Sequence, residues 1–223
     1  MVPGGMMPRP DDVPNCPPGL EYLAPLKQLF IKQHVEMFEV ITGFETNNKY
    51  TIKNDIGQSV YTALEESDAC MRRFCGSSRA FEMKIVNSYE KEVIHLSRPL
   101  ACQNWCCPCC LQTLEVSAPP GTKIGSIVQE WSVRSRTFKV NNHLGDTVLR
   151  IKGPFCLICG SEDFNIISRS DKKVGKISKQ WSGLARELFT DADFFGITFP
   201  LKLDPRIKAV LLGATFLIVR YIF

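Results

Sequence analysis

A strand–turn–strand pattern that occurs twice constrains the fold of this chain more than any other feature of its sequence. Residues 50–61 alternate β-forming and polar side chains around an Asn/Asp/Gly turn, which is the pattern of a β-hairpin. Residues 138–149 repeat this design. The aligned pairs are Tyr50 with Phe138, Asn54 with Asn142, Gly57 with Gly145, and Val60 with Val148. Such self-similarity predicts an internal duplication.

The duplication predicts two similar halves, at about residues 35–117 and 124–199, each with about six strands. Further similarity between residues 75–85 and 159–168 supports it. In matching order, the predicted segments are a leading strand (35–42 and 124–131), a first hairpin (50–61 and 138–149), a second hairpin (81–97 and 164–179) and a closing strand (111–117 and 195–199). About twelve antiparallel strands in one domain would expose sheet edges, and closure into a barrel removes them.

The chain ends with the uncharged, mostly apolar residues 209–219, which allow two interpretations. A membrane-spanning helix needs about 20 apolar residues. Continued to the last residue, this helix would be about 22 Å long against a hydrocarbon core of about 30 Å, and Lys208 and Arg220 would have to snorkel. A twelve-stranded barrel is too wide for its own side chains to fill. We therefore expect a helix over residues 207–223 that fills the barrel, with a membrane anchor as the alternative.

Composition is typical of a folded chain, with 44 % hydrophobic and 22 % charged residues and a mildly basic net charge of +4. Residues 1–19 are rich in Pro and Gly, and predict a disordered arm ahead of a barrel domain over residues 20–206. They contain no apolar signal region, which predicts synthesis in the cytosol. Most of the ten cysteines would then be reduced.

A tract from Cys102 to Cys110 places five cysteines in nine residues, between the fifth and sixth predicted strands. One interpretation is zinc binding, because Cys107/Cys110 and Cys156/Cys159 are C-x-x-C pairs, although their separation is longer than in common zinc ribbons. The other is S-acylation at a membrane surface, where two or more acyl chains bind stably. The acylation candidates are Cys106, Cys107, Cys109 and Cys110.

Residues 189–202 occupy the equivalent position of the second half. They place Asp191 and Asp193 at the first and third positions of an EF-hand-like loop, and the backbone carbonyl of Ile197 would supply a further oxygen. The last position, where a bidentate carboxylate normally completes the shell, is Lys202. The pattern allows a weak Ca2+ site or a solvated turn before a strand.

Residues 172–183 form a moderately basic segment that includes Lys176, Lys179 and Trp181. Most such segments are exposed strand faces, and fewer are import signals or lipid contacts. The sequence shows no Ser/His/Asp set, no Gly-rich phosphate loop and no paired carboxylates with a defined partner. We therefore expect a protein that is not an enzyme.

Several short motifs, covering almost the whole chain from residue 15, resemble those of the phospholipid scramblase family. They are NCPPGLEY at 15–22, CCPCCL at 106–111, APPG at 118–121, GKISK at 175–179, WSG at 181–183, FTDAD at 189–193, KAV at 208–210 and GA at 213–214. The proline-rich arm of several family members is reduced here to a short segment. The chain therefore most resembles the short members.

The resemblance implies a tubby-like twelve-stranded barrel around a C-terminal hydrophobic helix. It also implies Ca2+-dependent, ATP-independent movement of phospholipids between membrane leaflets, with Ca2+ at residues 191–202, palmitate on residues 106–110 and nuclear import through residues 175–184. Family members commonly have an acidic residue where this chain has Lys202, which implies a weakened Ca2+ response. Gln180 replaces a usual His in the import segment.

Two hypotheses of function follow. In the first, the chain is a Ca2+-dependent phospholipid scramblase at the plasma membrane, held by acyl chains and by its terminal helix if that helix spans the bilayer. Protein partners or self-association would then help to provide a hydrated path for headgroups. In the second, it is a palmitoylated binding or regulatory module that keeps its helix inside the barrel. Such a module would contact lipid, protein or DNA at the membrane or, without acyl chains, in the nucleus.

Overall fold

The computed structural model describes residues 5–11, 13–34, 48–66, 80–99, 111–132, 135–154, 163–179 and 194–222. Within these ranges the chain forms a short 3-10 helix (Glu21–Leu23), twelve strands and one α-helix, α1 (Pro205–Ile222). The strands are β1 (Gln28–His34), β2 (Lys49–Lys53), β3 (Ser59–Glu66), β4 (Phe81–Val86), β5 (Glu92–Arg98), β6 (Thr113–Ser117), β7 (Lys123–Glu130), β8 (Thr137–Asn142), β9 (Thr147–Lys152), β10 (Phe164–Ser168), β11 (Lys173–Ser178) and β12 (Phe194–Thr198).

The twelve strands form one closed barrel. Each strand pairs antiparallel with its neighbours in sequence, and β1 closes the sheet by pairing with β12. At this seam Gln28 lies beside Thr198 and Leu29 lies beside Ile197. Closure leaves no unpaired edge along the sheet, which is the physical reason for expecting a barrel. The predicted twelve-stranded antiparallel barrel is therefore confirmed.

The first hairpins of the two halves share one turn geometry, which supports the predicted duplication. In each turn, the side-chain Oδ1 of an Asn accepts hydrogen bonds from the backbone N–H groups of the residues two and four positions later. A Gly three positions after the Asn adopts a positive φ, 82° at Gly57 and 88° at Gly145, which costs glycine little. The bonds join Asn54 to Ile56 (3.2 Å) and Gln58 (2.8 Å), and Asn142 to Leu144 (3.0 Å) and Asp146 (2.9 Å).

Helix α1 runs through the barrel and fills its lumen. Ala209, Val210, Leu211 and Leu212 are all fully buried. Because consecutive helical residues point about 100° apart, burial of four in a row means that the barrel wall surrounds the helix. The hydroxyl of Thr215, which is also buried, donates to the carbonyl oxygen of Leu211 (3.0 Å) and so is satisfied within the helix. The expected filling of the barrel by the C-terminal helix is confirmed.

Among the residues that the structure describes, no helix is long and apolar enough to cross a membrane.

Two glycines allow α1 to lie close to the wall. A Cβ atom on Gly125 of β7 would lie 2.7 Å from Cγ2 of Val210. A Cβ atom on Gly213 of α1 would lie 3.1 Å from side-chain atoms of Leu96 and Val116. Larger residues at these positions would overpack the lumen. The two glycines therefore set the spacing between the helix and the sheet.

The first strand begins earlier than the sequence predicts. β1 is Gln28–His34, whereas the leading strand is predicted at residues 35–42, which lie outside the described residues. Leu29, Phe30 and Ile31 are all buried, so the alternation that marks a strand is lost. Phe30 is buried although it faces away from the lumen, because its ring packs edge-on against Phe194 at a centroid distance of 6.2 Å.

The described residues before Leu20, in the predicted disordered arm, form hydrogen bonds with the rest of the chain. The backbone of Ser59 accepts a hydrogen bond from the N–H of Met7 (2.8 Å) and donates one to the carbonyl of Gly5 (3.0 Å). The guanidinium of Arg206 donates to the carbonyl of Asn15 (2.6 Å). These bonds attach residues 5–11 and 13–19 to the barrel in spite of their Pro- and Gly-rich composition.

Candidate functional site

The two ends of the barrel differ in how they connect the strands. At one end, the turn end, residues 54–58, 87–91, 118–122, 143–146 and 169–172 join neighbouring strands, and residues 199–204 lead into α1. At the other, the loop end, longer connections join the strands. Because strands run alternately up and down, the connections from 99 to 112 and from 179 to 193 both leave the barrel at the loop end. These two connections contain most of the predicted functional residues.

Most of those residues lie outside the described part of the chain. Cys106, Cys107, Cys109 and Cys110, Asp191 and Asp193, and Trp181 are in this group. Their flanking residues are described, however, and they place the cysteine tract between the end of β5 and the start of β6. They place Asp191 and Asp193 directly before β12. The described ends of the two connections, at β5 and β6 and at β11 and β12, therefore lie at the same end of the barrel.

Lys176 and Ile197 lie within paired strands, and Lys179 directly follows β11. Lys176 is opposite Asn165 of β10 and Thr198 of β12, and its Nζ is 3.4 Å from Oδ2 of Asp163. Ile197 pairs with both neighbouring strands, and its side chain is fully buried. A Ca2+ ion using its carbonyl oxygen would have to share that oxygen with the β-ladder.

Lys202 lies at the turn end, whereas Phe194, which directly follows Asp193 in the sequence, begins β12 at the loop end. The strand β12 (Phe194–Thr198) runs along the barrel wall from the loop end to the turn end. Its length is about 16 Å at about 3.3 Å per residue. An EF-hand loop folds around a single ion and has no room for such a strand. The described residues 194–202 therefore differ from the end of a continuous EF-hand loop, while the predicted ligands Asp191 and Asp193 lie outside the described residues.

A layer of polar side chains, which the sequence analysis missed, fills the lumen at the loop end. We call Asn48, Glu65, Arg98, Gln112 and Gln129 the polar layer. The last four are at most 3 % exposed. Nδ2 of Asn48 donates to Oε2 of Glu65 (2.8 Å), and Oε1 of Gln129 accepts from the backbone N–H of Gln112 (3.1 Å). Arg98 and Gln112 lie at the two ends of the connection that carries the cysteine tract, so the polar layer positions its attachment points.

Strand alternation is the signal that would have identified the polar layer. Glu65 follows Ala63 by two residues in β3, and Arg98 follows Leu96 by two residues in β5. Residues two apart in a strand face the same side, so both polar side chains had to point into the lumen. Buried Glu and Arg are rare, which makes such positions informative.

The turn end holds α1 in place through the buried ammonium group of Lys208. Its Nζ lies within hydrogen-bond distance of four backbone carbonyl oxygens, and 5.3 Å from the ring centroid of Phe199. The carbonyls belong to Leu23 (3.0 Å), Ala24 (2.9 Å), Leu26 (2.7 Å) and Leu201 (2.9 Å). Burial removes the ammonium from water and lowers the pKa of Lys208 to about 8. Lys208 therefore does not snorkel to a membrane surface, as a spanning helix would require.

Within the described ranges, no group of three or more His, Cys, Asp or Glu side chains could hold a metal ion.

We predict that Lys208→Met destabilises the protein by about 2–4 kcal/mol at pH 7, because Met leaves several buried carbonyls without a donor. The difference in unfolding free energy between wild type and variant should widen as the pH rises from 8 towards 10. In this range Lys208 is deprotonated in the folded state and still protonated in the unfolded state, so raising the pH favours folding by at most about 3 kcal/mol.

Urea unfolding at a series of pH values measures both effects. Lys202→Met, at an exposed lysine of the connection between β12 and α1, serves as the matched control and should change stability by less than about 0.5 kcal/mol. A pH-independent difference between wild type and Lys208→Met would contradict the burial of the ammonium.

Comparisons with known proteins agree with the geometry. The scramblase family model matches residues 7–223. Phospholipid scramblase 1 of Homo sapiens is 53 % identical over 215 residues, which are 95 % of this chain and 68 % of that protein. Phospholipid scramblase 2 of Bos taurus is 53 % identical over 215 residues, or 95 % of this chain and 73 % of the relative. Phospholipid scramblase family member 5 of Homo sapiens is 45 % identical over 207 residues, which are 91 % of this chain and 76 % of that protein.

A solved X-ray structure of a protein from Arabidopsis thaliana covers 88 % of this chain and 94 % of its own, with a TM-score of 0.47 and 12 % identity. At that level the likeness adds nothing to the fold described above. The family match and the identities confirm the resemblance found in the sequence motifs. The chain belongs to the scramblase family.

Proposed function

We propose that this chain moves phospholipids between the leaflets of a membrane, without ATP and in response to Ca2+. The observation that carries the proposal is the similarity to relatives named phospholipid scramblases along 95 % of the chain. Membership of the scramblase family also agrees with the prediction that the chain is a lipid transporter and not an enzyme.

The filled lumen limits how lipids can be moved. A headgroup needs a hydrated path, because a polar group without partners in hydrocarbon costs several kcal/mol. The apolar residues of α1 occupy the lumen along its length, so that path lies outside the barrel. The chain would therefore act from the membrane surface, by deforming the bilayer or by assembling with partners or with copies of itself.

S-acylation would attach the barrel to the membrane by its loop end. The proposed acylation sites are Cys106, Cys107, Cys109 and Cys110, in a connection that begins and ends at this end of the barrel. One acyl chain gives only marginal binding, whereas two or more bind stably. Palmitate on several of these cysteines would hold the loop end at the plasma membrane without a spanning helix.

A Ca2+ site would lie at the same end, with Asp191 and Asp193 as its proposed carboxylate ligands. Lys202 is remote from it, as described above, so the side chain at residue 202 should not set its affinity. Because only two carboxylates are proposed as ligands, we expect weak binding, with a dissociation constant for Ca2+ of about 10⁻⁴–10⁻³ M. Further oxygens would have to come from neighbouring loop-end residues or from lipid phosphates.

The import-like segment is a weaker proposal. Lys176 lies in a strand that is paired on both sides, so a receptor that binds an extended peptide would first have to open the barrel beside β11. Lys179, directly after β11, requires no such opening, and Trp181 lies outside the described residues.

The second hypothesis, a palmitoylated binding or regulatory module, is favoured by one observation, the burial of α1. A barrel with a filled lumen is a suitable scaffold for binding lipid, protein or DNA through its surface, at the membrane or in the nucleus. It requires no path for headgroups.

We predict that the purified chain reconstituted in liposomes exposes labelled lipid of the inner leaflet in a Ca2+-dependent manner. Asp191→Asn with Asp193→Asn should raise the Ca2+ concentration required by about tenfold or more, because both proposed charged ligands are removed. The matched control is Lys202→Glu, which should leave that concentration unchanged. No lipid movement at any Ca2+ concentration would remove the scramblase proposal and favour the module.

We predict that replacing Cys106, Cys107, Cys109 and Cys110 by Ala moves most of the protein from the membrane to the soluble fraction in cells. The variant loses every proposed acyl chain, each worth about 0.8 kcal/mol per buried CH2. Cys16→Ala, which changes a half-buried cysteine of the turn end, is the control and should remain at the membrane. Full membrane retention of the fourfold variant would contradict acyl attachment.

A further inference from the structure

The turn end of the barrel exposes large apolar side chains at the tips of its turns. Three of them occupy the same position, two residues after the Asn that organises each turn. Another lies in the connection to α1. They are Ile56 (48 % exposed), Tyr89 (75 %), Leu144 (73 %) and Leu201 (54 %). We call Ile56, Tyr89 and Leu144 the tip residues.

The turn geometry does not require an apolar side chain at these positions. What it requires is an Asn at the first position and a residue with positive φ at the fourth, as at Asn87 and Glu90 of the β4–β5 turn. The backbone N–H of each tip residue is bonded to the Asn side chain, which fixes the tip. The turn geometry therefore does not explain why the side chains at these three solvent-exposed tips are apolar.

A cleft lined in part by basic residues lies at the same end. It has a volume of about 480 Å³ and lies between residues 15–17, the 118–122 turn, the β8–β9 turn and the start of α1. Its lining includes Lys123, His143 and Arg206 and no acidic residue. Two of these cations already have acidic neighbours, because Glu115 pairs with Lys123 and Oδ2 of Asp204 lies 3.9 Å from Nη1 of Arg206. A phosphate group in the cleft would share Lys123 and Arg206 with these carboxylates.

We propose that the turn end docks on an anionic lipid surface, with the tip residues inserted among the lipids and the basic cleft on a lipid phosphate. Apolar side chains of surface-bound proteins enter the boundary between headgroups and acyl chains, and tyrosine favours this interface. Nearby Lys and Arg are attracted to anionic headgroups. The tips and the cleft together thus match the chemistry of a bilayer surface.

This inference deepens the proposed membrane function and rests on it, but it does not depend on acylation. The cysteine tract leaves the barrel at the loop end, and the tip residues lie at the turn end. A chain acylated at the loop end would direct its turn end away from that bilayer, towards a second one. Without acyl chains, the turn end would bind a bilayer weakly and reversibly, so most of the fourfold cysteine variant would still leave the membrane in cells.

Co-sedimentation of the unacylated full chain with vesicles tests the proposal. Wild type should bind vesicles of phosphatidylcholine with phosphatidylserine more tightly than vesicles of phosphatidylcholine alone. Ile56→Ser with Tyr89→Ser and Leu144→Ser should weaken binding to the anionic vesicles at least about tenfold. Lys123→Gln with His143→Gln should remove most of the preference for anionic vesicles. The matched control, Leu64→Ser with Trp131→Ser, changes exposed apolar residues away from the turn end and should bind like wild type.

Equal thermal unfolding temperatures of all variants would show that the comparison reports binding and not misfolding. Tip variants that bind like wild type would overturn the proposal, as would an equal loss in the control. Failure of wild type to bind either vesicle would also overturn it, and would direct attention to a protein partner for the tips. Lipid movement measured in the same vesicles separates the two proposals, because binding without lipid movement contradicts only the scramblase function.

Discussion

The structure depends on the containment of one apolar helix by one closed sheet. A twelve-stranded barrel has a lumen that its own side chains cannot fill, and α1 has an apolar surface on every side. Each element removes the other's exposed apolar area, so neither is expected to be stable alone. The ammonium of Lys208 fixes the depth of the helix, because its four carbonyl partners lie in the two segments that close the turn end.

With the helix enclosed by the sheet, the two ends of the barrel have different structures. The turn end is closed by short turns and by the Lys208 contacts. The loop end carries the polar layer and the connections with the cysteine tract and the acidic pair. Membrane attachment, the Ca2+ response and any partner contacts are therefore proposed for the outer surface and the ends of the barrel, and not for its interior.

Local chemistry explains what the sequence predicted well. Asn and Gly at fixed offsets determine the turns around Asn54 and Asn142, so the hairpins and their duplication could be found without a structure. The barrel was predicted because an open sheet of about twelve strands would expose its edges. The role of α1 was predicted because a barrel of that size has a lumen that its own side chains cannot fill. The family resemblance then agreed with a fold already inferred from these arguments.

Contacts between distant segments explain what the sequence analysis missed. The start of β1 was obscured because Phe30 is covered by Phe194 from the far end of the chain. Lys208 appeared to be a flanking residue of a membrane segment, since three of its carbonyl partners lie more than 180 residues away. Lys202 follows Asp191 by eleven positions in the sequence, but β12 lies between those positions and leads to Lys202 at the turn end.

The depth of α1 in vesicle-bound protein tests the central claim most directly. A photoactivated carbene reagent dissolved in the bilayer would label side chains exposed to lipid, and mass spectrometry would locate the labelled residues. If the helix remains inside the barrel, residues 209–219 should carry no label above that of Ile52 and Ile94, which face the lumen. Strong labelling along residues 209–219 would show that the helix leaves the barrel for the bilayer and would contradict the account.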